Sequence, residues 1–152
     1  QYQAIREAVT QRHGPHTRVT SILTSRDSAI VRADGVHDGL KQTKGGWHIV
    51  CSLGAGVPTA KMLERECGFS SAAAMQLTAD EAVNAAAGQG DFSSASKYEK
   101  AALQSVAAPL KPSEAARLQM LNELNQQMQI GQISRSDAIR KWNEVRLSVF
   151  LP

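Results

Sequence analysis

Two cysteines, four histidines and a glycine-rich junction are the residues of this chain whose types could do chemistry. A catalytic thiolate needs a base within hydrogen-bond reach, and His48 lies three residues before Cys51. On a regular strand that odd spacing puts the two side chains on opposite faces, so a structural cysteine is expected. His13 and His16 have a spacing that could share a metal on a helix, but Gly14 and Pro15 between them break a helix. Glu64 and Glu66, two apart on an expected helix, point in different directions and make no hydrolytic pair. Gly54-Ala55-Gly56 sits where a strand passes into a helix, a place where backbone amides can hold an anion. A dinucleotide fingerprint would need a further Gly at position 59, which is Thr, and there is no G-x-S-x-G elbow. The expectation is therefore no catalytic residues, no cofactor and no metal. The competing expectation is a small hydrolase-like enzyme with a shallow site near residues 48–59, using His48 or His37 with Ser52.

Cys51 ends the apolar run Trp47–Cys51, and Cys67 closes a helical pattern just before Gly68. Leu63 and Cys67 are one turn apart, so if that helix covers the strand the two sulfurs can meet. A disulfide closing a loop of this size would stabilise by about 3 kcal/mol in the chain-entropy view. The alternative is two separate buried thiols. The even count and the lack of C-x-x-C spacing point to the disulfide, and so to an oxidising compartment. The chain begins at Gln1 rather than Met, which adds the expectation of a removed signal peptide and a periplasmic or otherwise extracytoplasmic location.

Composition narrows the classes further. At 152 residues the chain suits one domain with an appendage, 42% of it hydrophobic and only 5% aromatic. No apolar run of about 18 residues suggests a transmembrane span. The net charge of +3 divides as nine Lys/Arg against eight Asp/Glu over residues 1–90, and eight against six over residues 91–152. The densest basic stretch, Arg135 to Arg146, is interrupted by Asp137 and Glu144. That reads as a solvated helix face, and no nucleic acid is expected as a partner.

The elements that must position these residues follow from periodicity and breakers. Tyr2, Ile5 and Val9 predict a first helix that stops at Gly14-Pro15. Arg18–Leu23 and Ser28–Ala33 read as strands, with Asp34-Gly35 and Asp38-Gly39 as turn signals. Gly39–Thr43 and Trp47–Cys51 form a hairpin around Lys44-Gly45-Gly46, with Trp47, Ile49 and Cys51 expected on one face. A helix opens at Pro58 or Thr59 and closes at Gly68. Ser70 and Thr78 are candidate caps of two short helices, with Thr78-x-x-Glu81 and Ser96-x-x-Glu99 as capping boxes. Residues 87–96 read as a linker, and Pro109 ends the helix that follows. Pro112-Ser113 starts a helix striped with Leu118, Leu121, Leu124 and Met128. Gly131 ends it, and Ser134 caps a last helix bearing Ala138, Trp142 and Val145.

Two resemblances can be attached to these stretches. Trp47-His-Ile-Val-Cys-Ser-Leu-Gly-Ala-Gly, followed by a short helix and Cys67-Gly-Phe-Ser, resembles small exported bacterial proteins of uncharacterised function over residues 28–77. That implies an extracytoplasmic setting without an activity. The final pair of helices, with Leu121-Asn-Glu-Leu, Gly131-Gln-Ile-Ser and Asp137-Ala, is similar to the short C-terminal (SHOCT) helical module, which implies an oligomerising role. This chain departs from the module in having Trp142 where a small or basic residue is usual, and in lacking its acidic run.

Together these readings predict an α+β protein. Residues 1–86 would hold a small antiparallel sheet of three or four strands flanked by helices, 87–96 a linker, and 97–152 a helical extension ending in an α-hairpin. The expected function is binding to another protein, in the role of an inhibitor or immunity protein for an envelope-directed toxin or hydrolase. Leu121, Leu124, Met128, Trp142 and Arg146 are the expected partner-binding residues. The same hairpin is the expected route to a homo-oligomer or a self-associating structural envelope protein.

Overall fold

A computed structural model describes residues 2–104 and 112–150, with the backbone alone for residues 103–104, 112–114 and 145–150. Helix α1 (Tyr2–His13) precedes four strands, β1 (Val19–Ser25), β2 (Ser28–Ala33), β3 (Val36–Thr43) and β4 (Gly46–Gly54). Helices α2 (Ala60–Cys67), α3 (Ser71–Gly88), α4 (Phe92–Gln104), α5 (Pro112–Gln129) and α6 (Arg135–Phe150) follow. The fold is α+β, with the strands in sequential antiparallel order β1-β2-β3-β4. The chain divides into two units, residues 1–78 and 79–152, and the boundary falls inside α3.

In the first unit the sheet is covered on both faces. Paired residues of neighbouring strands share a face, so Leu23, Ile30 and Gly39 face one way, while Ile22, Val31 and Leu40 face the other. The first face packs with Leu63 and Cys67 from α2, Phe69 from the connection after it, and Ala74 and Leu77 from α3. Helix α1, with Ile5 and Val9 fully buried, lies against β4. Central strand β2 is therefore buried on both sides at all but one position, which is why it shows no alternation in sequence.

Strand β4 departs from the expected geometry. Gly39 pairs with Cys51 but Leu40 pairs with Ile49, so Val50 is an extra, bulged residue. One inserted residue reverses the facing of everything beyond it. Trp47 and Ile49 consequently share the α1 face, and Cys51 lies on the opposite face with His48, contrary to the regular-strand expectation. Asp38-Gly39 is likewise not a turn but the interior of β3.

Cap chemistry sets the helix limits. Thr59 accepts from the Met62 amide at the start of α2, and Gly68 closes that helix with φ 68°. Ser70 accepts from Ala73 N and Ser134 from Asp137 N, as expected of caps. Thr78, however, lies inside one continuous helix, where its hydroxyl donates to the Ala74 carbonyl instead. Helix α4 starts earlier than Ser96, because Asp91 accepts from the Ser94 amide. Residues 87–96 are accordingly no linker, but the end of α3, a turn at 89–91 and the opening of α4. Pro109 lies outside the described residues.

The second unit has its own core of Val83, Ala87, Phe92, Ala95, Leu121, Leu124, Ala138 and Trp142, with Met128 and Ile133 packed on it. Arg117 on α5 joins two other helices, at 3.0 Å from Glu99 on α4 and 3.4 Å from Asp80 on α3. No helix among the described residues is long and apolar enough to cross a membrane.

Candidate binding groove

Cys51 and Cys67 form a disulfide, with their Cα atoms 5.1 Å apart. It ties the edge strand β4 to the last residue of α2. Gly39, directly across the ladder from Cys51, leaves the space the sulfurs occupy. A Cβ there would fall on Cys51 Sγ, within 2.8 Å of Cys67 Sγ and 3.3 Å of Phe69 Cζ. A glycine inside a strand often marks such a close approach.

On the α1 face, Asp38 is buried and its carboxylate has two partners. His13, the last residue of α1, donates from Nε2 to Oδ2 at 2.5 Å, and the Ser52 hydroxyl donates to Oδ1 at 3.3 Å. The three residue types are those of a hydrolytic triad, but their order differs. A nucleophilic serine needs the imidazole at its hydroxyl, whereas here the carboxylate lies between the two. What the cluster does is anchor: it fixes the last turn of α1 to β3 and β4.

That anchored turn forms one wall of a groove. The space between α1 and β4, about 290 Å³, is lined by Ala8, Gln11, Arg12, Trp47, His48 and Ile49. Ala8, Gln11 and Arg12 recur three and four residues apart and so share a helix face. Trp47 is buried, Ala8 and Ile49 half-buried, and Gln11, Arg12 and His48 exposed. The groove thus combines an apolar floor with polar and cationic groups at its mouth, as binding clefts commonly do.

The residues singled out from sequence fall in different places. His37 is 1% exposed, and its Nδ1 donates to the Gly54 carbonyl at 3.2 Å, a contact that holds the end of β4. His48 borders the groove between Trp47 and Ile49, but the register turns its side chain to the opposite face of β4, and His16 is exposed. Among the described residues no group of three or more His, Cys, Asp or Glu could hold a metal ion. Leu121, Leu124 and Trp142 face the second unit's own core, and Met128 is half-buried against it. The apolar stripe expected to meet a partner or a second copy is a core stripe, because α3 and α4 supply the residues that cover it. The side chain of Arg146 lies outside the described residues.

Sequence reasoning missed Ala8, Gln11, Arg12 and Asp38. The polar face of α1 carried a readable signal in the 8, 11, 12 spacing, but the pairing of α1 with β4 did not. The chain matches no protein-family model, no curated protein and no solved structure.

Proposed function

We propose that the protein works by binding another protein in an oxidising, extracytoplasmic compartment, with the α1–β4 groove as its contact site. The observation that carries this reading is the groove itself: an apolar floor of Trp47 and Ile49, held open by α1, whose last turn is anchored through His13 to Asp38. The disulfide supports the compartment, since such bonds persist where thiols are not kept reduced. An inhibitor or immunity role against an envelope-directed toxin or hydrolase fits a small, stapled scaffold that presents one cleft.

Co-isolation from the native source under oxidising conditions tests the reading. A partner is expected to raise the melting midpoint of the wild-type protein, because a ligand of the folded state alone stabilises it. Lengthening Ala8 to Gln should abolish both co-isolation and the rise. A partner retained equally by the Ala8→Gln variant would place the contact elsewhere and contradict the proposal.

A further inference from the structure

Charge is unevenly divided once the chain is cut at its structural boundary. Residues 1–78 carry nine Lys/Arg against six Asp/Glu, and residues 79–152 carry eight against eight. The whole net charge of +3 therefore belongs to the unit that holds the groove. Of that unit's six carboxylates, Asp38 is buried beneath His13 and Glu66 pairs with Arg65, while Glu7, beside Ala8 on α1, remains an exposed anion. No carboxylate is among the residues lining the groove, whereas the exposed guanidinium of Arg12 is.

We infer that the groove takes an acidic segment of a partner protein, with an apolar side chain on Trp47 and Ile49 and a carboxylate paired to Arg12. This rests on the binding reading above and adds the chemistry of the partner. Guanidinium and carboxylate match as planar, two-pronged groups, and charge complementarity suppresses wrong partners and speeds encounter. The apolar floor favours a peptide over a nucleic acid. A nucleic-acid site would present a stripe of Lys and Arg, and here one guanidinium stands beside an indole and an aliphatic side chain.

Selection of a displayed random octapeptide library on the immobilised, oxidised protein tests the inference. Enriched sequences should combine Asp or Glu with an aliphatic or aromatic residue. Arg12→Glu should lower their affinity about tenfold or more, the scale of a lost charge pair, and raising the salt should weaken binding. Melting midpoints of the variants verify folding, with Arg12→Gln as the milder substitution if Arg12→Glu does not fold. Enrichment of neutral or basic peptides, lost in Ala8→Gln but not in Arg12→Glu, would overturn the acidic partner and leave the groove a protein-binding site. No enrichment, or enrichment indifferent to Ala8→Gln, would overturn both. A single-stranded oligonucleotide that displaced the peptides with the same dependence on Arg12 would also overturn the assignment to protein.

Discussion

Gly39 and Cys51 face each other across the β3–β4 ladder, and the absence of a side chain on the first makes room for the disulfide of the second. Gly39→Ala pushes a methyl group against both sulfurs and the Phe69 ring, in a layer packed on both sides. Overpacking of this kind costs about 1–3 kcal/mol. The expected outcome is a lowered denaturation midpoint together with slower disulfide closure, read as free thiol remaining during oxidative refolding. Unchanged stability and closure would contradict the cradle.

Replacing both cysteines with Ala should lower the unfolding free energy by about 3 kcal/mol, the loop-closure contribution expected for a separation of 16 residues. Chemical denaturation under oxidising conditions measures it. Because Cys67 is the last residue of α2, amide exchange should rise most along Ala60–Cys67 and leave α5 and α6 unchanged.

How far this arrangement was legible in the sequence depends on bulges and helix limits. The disulfide partners, an antiparallel sheet of three or four strands, a helix start at Pro58 or Thr59 and the caps at Ser70 and Ser134 were readable from residue types and spacing. The facing of Cys51 was not. The bulge at Val50 has no signature in Trp47-His-Ile-Val-Cys, yet it moves Cys51 away from Trp47 and Ile49 and separates the disulfide layer from the groove layer. Asp38-Gly39 imitated a turn for the same reason, since a glycine needed for space looks like a glycine needed for a bend. The stripe of Leu121, Leu124 and Trp142 was correctly apolar. Its burial depended on α3 and α4, whose start and end were obscured by Thr78 and by the small polar residues 87–96.

Asp38 should prove sensitive. Asp38→Ala removes the acceptor of both His13 and Ser52, and a deleted buried hydrogen-bonding partner costs about 1–3 kcal/mol. The expected signature is faster amide exchange in the last turn of α1 and weaker occupancy of the groove. Ser52→Ala leaves the His13 contact in place, and its effect should be smaller.

Asp91 gives the helical unit an acid-sensitive cap. The Ser94 side-chain hydrogen bond and then the Ser94 backbone bond hold its carboxyl below the usual value. A carboxyl lowered in the folded state stabilises at pH above its ordinary range, and that contribution is lost as the pH falls through the lowered value. Protection of the Ser94 amide, its exchange rate taken relative to the intrinsic rate at each pH, should therefore fall on acidification through that range. In Asp91→Asn the step should vanish, since Asn caps without titrating.

Arg117 should be a costly position to substitute in the second unit. Arg117→Met leaves the buried Glu99 and the nearby Asp80 without their shared guanidinium, and breaking a buried pair from one side costs about 3–5 kcal/mol. Thermal unfolding of the variant measures this, and a loss well under 1 kcal/mol would contradict the buried-network account.

The groove is tested most directly by amide and indole chemical-shift mapping of the labelled, oxidised protein during titration with a peptide recovered from the octapeptide selection. The account predicts saturable shifts at Ala8, Gln11, Arg12, Ile49 and the Trp47 indole, all reduced in Arg12→Glu, with α5 and α6 unmoved. Shifts concentrated on the helices of residues 112–150, or none at the α1–β4 groove at saturation, would contradict it.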